Sequence, residues 1–272
     1  MSITVYLDAI GAIGPGANNW PEWRALLQHD ESWQPAKTKL PVLNVLPSAE
    51  RRRTGAGVKI ALATGLEALA MAGVEPSTVA TVFSSSGGDG DNCHLICEEL
   101  ASADRLISPT RFHNSVHNAP SGYWGIASGA MLASTSIGAF DASFAAGLLE
   151  AGTQCFVDRK PVLLVAYDTP YPEPLNGTRP MSDSFAVALL ISPAPNAHTI
   201  AQVTMGLSDS APAVMQFEAL EQVRTTIPAA RCLPLLRELA LHAAAGKLEV
   251  SSEVHVEYLH GRSLGLKLSP VA

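Results

Sequence analysis

A layered α/β fold is the prediction, and three observations carry it. Apolar strand-like runs alternate with helix-period segments along the chain; Thr78 to Ser84, Val162 to Tyr167 and Phe185 to Ser192 are the clearest strands. Val162 to Tyr167 is apolar at every position, the mark of a strand covered on both faces. With 47% apolar and 16% charged residues in 272, the chain can bury a sizeable core, as one large domain or two intimately packed halves.

The elements follow in order. Ile3 to Ile10 reads as a strand interrupted by Asp8, with a turn over Gly11 to Gly16. Trp20 to Gln28 is a short amphipathic helix, and residues 29–47, with Pro35, Pro41 and Pro47, form an irregular connection. One long helix is expected over Ala49 to Ala72, where Ile60, Ala63, Leu66, Leu69 and Ala70 recur at helical spacing. Gly73 supplies its C-cap and Pro76 follows. After the strand Thr78 to Ser84 come a loop over 85–91 and a helix over Asn92 to Ser102. Arg111 to Ala130 is expected to be helical with a break near Pro120-Ser121-Gly122. A strand at 132–138 and a helix at 142–156 come next, then the strand Val162 to Tyr167 and a proline-rich loop over 168–182. Strands Phe185 to Ser192 and Thr199 to Gly206 are joined by a turn at 193–196. A helix over Leu233 to Ala245 and a hairpin (Glu249 to Leu259, Ser263 to Leu268) around His260-Gly261-Arg262 complete the chain.

Charge and cysteine content narrow the function. The net charge of −7 argues against nucleic-acid binding, and Arg51-Arg52-Arg53 reads as a solvated helix start. There is no cationic leader and no apolar run of membrane-spanning length. Cys93, Cys97, Cys155 and Cys232 show no paired framework, so a reduced, cytoplasmic protein is expected. Gly87-Gly88-Asp89-Gly90 sits between a strand and a helix as phosphate loops do, but no lysine follows and Asp89 and Asp91 would repel phosphate; a structural turn is expected. His113 and His117 are spaced to share a helix face, yet Cys93-x3-Cys97 fits a zinc site loosely. Together with His94 these read as packing or interface residues, and neither metal nor cofactor is expected.

The chemistry-bearing stretch is Ser134 to Ala151. Its first part reads as a buried strand and its second as a small-residue helix. A sharp strand-to-helix turn of this kind presents the nucleophilic Cys or Ser of several acyl-transfer folds. Here the turn position reads Asp141, whose acyl derivative would be a rapidly hydrolysed mixed anhydride. Asp141 would serve instead as N-cap of the following helix, worth about 1 kcal/mol. Ser143 is a second conceivable nucleophile, although no Gly-x-Ser-x-Gly surrounds it; Cys155 should point into packing.

Segment 78–192 resembles the N-terminal half of the β-ketoacyl synthases. The residues that carry the resemblance are Gly87-Gly88 after a strand, Ile107-Ser108-Pro109, Asn118, Gly122, Ile126, Gly129, the strand at 133–138 and the elbow Phe140-Asp141-Ala142-Ser143. The strand at 162–167, ending Val165-Ala166, and the strand Phe185 to Ile191 continue it. In the family the elbow typically reads Ala-Cys-x-Ser, which places the cysteine position on Asp141. The family's two histidine motifs are missing: His198, His242, His255 and His260 lie in other contexts, and only 80 residues follow Ser192.

The resemblance implies a thiolase-like layered fold with one complete ketosynthase half (1–210) and a shortened second half (211–272) in the same globule. Cysteine-less homologues act as chain-length factors, which pair with an active ketosynthase and shape its acyl tunnel. Residues 108–118 look like the short subunits of aryl polyene pathways. The implied partners are a catalytic β-ketoacyl synthase, in a heterodimer or heterotetramer, and an acyl carrier protein reached through that complex. The strand at 133–138 would lie at the seam. Arg111, Phe112, His113, Val116, Ser134 and Ser136 are the tunnel or interface candidates, with no catalytic residue. The alternative is an independent acyltransferase or thioester hydrolase using Ser143.

Overall fold

The computed structural model describes residues 2–29, 31, 33–244 and 246–271. Its elements are β1 (Ile3–Ile13), α1 (Trp20–Gln28), α2 (Ser48–Arg53), α3 (Ala56–Ala72), β2 (Ala80–Ser84), α4 (Gly90–Ala101), α5 (Pro109–Asn114), α6 (Ala119–Ser128), β3 (Ser134–Ile137) and α7 (Ser143–Asp158). Then follow β4 (Val162–Asp168), α8 (Leu175–Thr178), β5 (Phe185–Ser192), β6 (Ala201–Ser208), α9 (Glu218–Thr226), α10 (Leu233–His242), the short pair β7 (Ala243–Ala244) and β8 (Lys247–Leu248), β9 (Ser252–Glu257) and β10 (Ser263–Ser269).

Eight strands form one sheet in the order β3-β2-β4-β5-β1-β6-β10-β9. β2 runs parallel to both β3 and β4, and the remaining neighbours pair antiparallel. Alternation along the strands divides the core into two layers. Val162, Leu164 and Ala166 of β4 face a core with α1, α7 and α10. Leu163, Val165 and Tyr167 face the other, built on α3 and α6. The expected layered α/β class is therefore the observed one. The C-terminal strands β9 and β10 extend the same sheet from β6.

Several expectations are corrected. β1 runs three residues beyond Ile10 and is not interrupted at Asp8; a register shift between Leu7 and Ala9 forms a bulge there. The buried Asp8 carboxylate accepts hydrogen bonds from Ser192, Asn196 and Thr199, so it ties down the β5–β6 turn. Gly11 lies in the strand rather than in a turn, and it is glycine there because an added Cβ would meet the Thr64 carbonyl oxygen at 2.2 Å. The long helix breaks at Thr54-Gly55 into α2 and α3. Arg51 to Arg53 accordingly end a short helix, where cations meet the negative end of the dipole. The break expected at Pro120 comes earlier, over 115–118; Pro120 sits in the first turn of α6, where its missing N–H costs nothing. His113 and His117 thus share no helix. Residues 76–78 form a 3₁₀ turn, so β2 starts at Ala80. α9 and the 3₁₀ turn Pro228–Cys232 lie where no element was assigned. The helix expected to reach Ala245 ends at His242, and Ala245 lies outside the described residues.

Gly73 closes α3 in the left-handed conformation, φ 63°, as expected of a glycine cap. No helix among the described residues is long and apolar enough to cross a membrane.

Candidate functional site

The elbow lies between β3 and α7. β3 is an edge strand, exposed to half-buried along its length rather than buried as expected. β2 pairs one side of it in parallel, and its other backbone edge has no strand partner within the described chain. Ser134 bonds the hydroxyls of Thr81 and Ser121, each at 2.7 Å. Thr135 accepts from the Gln154 amide at 2.9 Å, so the strand is held firmly from one flank.

The sharp point of the elbow falls one residue earlier than expected. Phe140 takes φ 52°, and Phe140–Ala142 form a 3₁₀ turn that leads into α7. The N-cap position is Ala142, with no side-chain cap, so Asp141 does not cap the helix. Ser143 staples the turn instead: its hydroxyl donates to the Phe140 carbonyl (2.7 Å) and accepts from the Ala139 N–H (3.0 Å). The hydroxyl is committed to its own turn and the residue is 1% exposed, so Ser143 holds the shape of the elbow. Cys155 is buried, and burial pushes its thiol up to about 12, beyond reach of the thiolate needed for attack.

Asp141 instead forms ion pairs with two guanidiniums. Arg179 reaches its Oδ1 at 2.7 Å and Arg231 its Oδ2 at 3.3 Å. Arg231, buried among the C-terminal elements, also pairs with Glu257 at the end of β9, and Arg224 of α9 lies 3.6 Å from the same carboxylate. The Arg224 guanidinium holds the Glu221 carboxyl below the usual carboxylate range. A chain of charges therefore runs from the elbow through the 228–232 turn to the terminal hairpin. Either residue at the elbow's tip, Phe140 or Asp141, lacks a thiol or hydroxyl that could carry an acyl group.

The glycine loop serves packing. Gly87 leaves room for the Tyr171 hydroxyl, which would lie 1.8 Å from an added Cβ, and Gly88 adopts φ 67°. Asp89 caps α4 through the Asn92 N–H. The fully buried Asp168 accepts from Ser85, from both the N–H and the hydroxyl of Ser86, and from the Ala229 N–H. Burial pushes its carboxyl up to about 6 despite these donors. It thereby joins the loop after β2 to the C-terminal part. This role was not legible in the sequence, where Asp168 is one acid at the end of an apolar run.

Arg111, Phe112, His113 and Val116 lie on α5 and the turn after it, and Ser134 and Ser136 lie on β3. α5 presents Phe112 (67% exposed) and His113 to solvent, with Arg111 half-buried. Val116 lies beyond the helix in the following turn and is also exposed. Asn114, not singled out from sequence, is the anchor of α5: it donates to the Arg53 carbonyl and accepts from the Tyr123 hydroxyl. Cys93 and Cys97 are exposed free thiols, His94 pairs with Glu98, and His117 bonds the Ser85 carbonyl at 3.1 Å.

Comparison with known proteins bears on this geometry. No curated protein matches the sequence. Among solved structures, the ketosynthase ApeO in complex with its chain length factor ApeC from Xenorhabdus doucetiae contains a similar chain, 23% identical, with TM-score 0.72 over 98% of this chain and 99% of that one. The ishigamide ketosynthase/chain length factor is 12% identical, with TM-score 0.73 over 99% and 100%. The AntDE:AntF complex, a type II PKS acyl-carrier protein with its ketosynthase bound to the hexaketide, is 10% identical, with TM-score 0.74 over 100% of both chains. At these identities the likeness establishes the thiolase-like ketosynthase fold. The model of the β-ketoacyl synthase N-terminal domain matches residues 20–245, and the chain belongs to that family.

Proposed function

We propose that this chain is a non-catalytic, chain-length-factor-like subunit that pairs with an active β-ketoacyl synthase and shapes its acyl tunnel. The observation that carries the reading is the elbow. The position to which the resemblance assigns the family's cysteine holds Asp141, a carboxylate paired with both Arg179 and Arg231. A carboxylate held by two cations is a weak nucleophile as well as a poor acyl carrier.

The edge strand supports the pairing. β3 has an open backbone edge, a liability for a lone chain and a ready seam for a partner strand. Exposed Phe112, Val116, Met131 and Leu132 lie on the segments leading into it and give that side an apolar character suited to a covered interface. In this reading Arg111, Phe112, His113 and Val116 border the partner's tunnel, and Ser134 and Ser136 lie at the seam. The carrier protein reaches the chain through the ketosynthase, in a cytoplasmic heterodimer or heterotetramer. The resemblance of 108–118 to aryl polyene subunits makes polyene synthesis the favoured pathway class.

The test is acylation of the purified chain by an acyl carrier substrate, followed by intact mass. No covalent adduct and no condensation product are expected from the chain alone. A stoichiometric acyl adduct would overturn the proposal.

A further inference from the structure

A buried cation ties the elbow's carboxylate to the far end of the chain. Arg231 belongs to the turn Pro228–Cys232, in which every residue is buried. The turn is fixed to β4, because the Ala229 N–H donates to Asp168 at 2.8 Å. From this mount the Arg231 side chain, 8% exposed, reaches two carboxylates: Asp141 at the elbow (3.3 Å) and Glu257 at the end of β9. A guanidinium so far from water depends on its counter-ions to hold it in place. Arg179 closes one end of the series on Asp141 at 2.7 Å, and Arg224, itself paired with Glu221, closes the other on Glu257. Three cations thus alternate with three carboxylates, and neutralising any one carboxylate leaves an excess cation in a largely buried cluster.

Both carboxylates that hold Arg231 border one groove. Phe140 and Asp141 line a cleft of about 560 Å³ on the elbow side, and residues 209–212 and 257–262 line it on the other. The second wall is knitted internally. The Ala213 N–H donates to the His255 carbonyl at 2.7 Å, the Ser263 hydroxyl donates to the Ser210 carbonyl at 2.9 Å, and Arg262 pairs with Asp209 at 3.2 Å. Those bonds hold the two segments to each other, whereas the charges of Arg231 join them to the elbow. We infer that Asp141 is the latch of this groove: by holding the Arg231 guanidinium it positions Glu257 and keeps the terminal hairpin and residues 209–212 closed against the elbow. Asp141 is thus a positioning residue that acts through Arg231, and the latch needs no partner chain. With its charge removed, the second wall opens as a unit while the rest of the sheet keeps its packing, because local opening then parts one ion pair fewer.

The experiment is amide hydrogen exchange of the full chain, read by mass on peptides covering 209–213 and 257–263. The reference is α4, where only Gly90 is buried, so that its amides exchange through local openings of their own. Asp141→Asn keeps the size of the side chain and removes its charge. It is expected to speed exchange about tenfold in 209–213 and 257–263 and to leave α4 unchanged. Glu257→Gln cuts the same link at its more exposed end and should loosen the same two segments by about the same factor. Arg231→Met puts an apolar chain in place of the cation; it should loosen them too, and Asp141→Asn added to it should have no further effect. Exchange within about twofold of wild type in Asp141→Asn or Glu257→Gln would overturn the latch. Equal acceleration in α4 would also overturn it, since the loss would then be general rather than an opening of the groove. A second step of about tenfold when Asp141→Asn is added to Arg231→Met would overturn its action through Arg231.

Discussion

Glu67 gives the most quantitative handle on the fold. Its carboxylate lies under the start of the chain, accepting from the Ala12 N–H at 3.0 Å and the Trp20 N–H at 2.5 Å. Burial nevertheless outweighs these two donors and pushes the carboxyl from 4.5 up to about 7. The folded chain therefore binds the proton more tightly than the unfolded chain. Stability from this group is fully present below pH 4.5 and is lost as pH rises through about 7. The full effect is about 3 kcal/mol, reduced to roughly 2 because the side chain is partly solvated. Asp168 acts with the same sign, but most of its contribution is already lost at pH 6, where it is half titrated. Between pH 6 and 7.5 Glu67 loses about 1 kcal/mol, the larger share of the remaining pH dependence of the two groups. Urea unfolding of wild type and Glu67→Gln across this range is the assay. Glu67→Gln should be less stable at pH 6 by about 1–2 kcal/mol, because an amide places a donor against a backbone N–H, and its stability should fall with pH much less steeply than that of wild type. The same slope in both proteins would refute the reasoning.

Two further outcomes follow from the elbow and its helix. Gly147→Ala should destabilise the chain by about 1–3 kcal/mol in urea unfolding, because the added Cβ would meet Ser84 Cβ at 2.7 Å and Leu164 Cδ1 at 2.9 Å. Ser143→Ala should cost about 1–2 kcal/mol by leaving the Ala139 N–H without its acceptor, while the Phe140 carbonyl keeps the backbone N–H of residue 143, and should leave any thioester hydrolysis in the preparation unchanged; hydrolysis that vanishes would restore Ser143 as a nucleophile.

The central sheet was legible because its strands obey simple patterning. Val162 to Tyr167 and Phe185 to Ser192 are apolar throughout and lie buried on both faces. Local breaks were less legible. Nothing in periodicity alone separates α2 from α3, because Thr54 and Gly55 can be carried inside a helix at modest cost. α9 is faint in the sequence because only Leu220 and Val223 mark its buried aliphatic face, while Arg224 is buried through an ion pair with Glu221 three residues back and a second with Glu257, 33 positions along the chain. The elbow was located to within one residue. The carboxylate's partners were not, since Arg179 and Arg231 lie 38 and 90 positions beyond Asp141 and meet it only after the sheet is assembled. Edge position likewise belongs to topology: Ser134 to Ile137 reads as a buried strand until β2 proves to be its one neighbour in the sheet.

The most direct test of the partner reading is co-expression of this chain with a ketosynthase from the same biosynthetic system, followed by sizing and native mass, for wild type and Ser136→Lys. Ser136 sits in the middle of the open edge strand, half-buried, where a lysine would oppose strand addition. The account predicts an equimolar complex with wild type and its loss in Ser136→Lys. A wild-type chain that elutes alone, or a complex indifferent to the lysine, would contradict pairing through this edge.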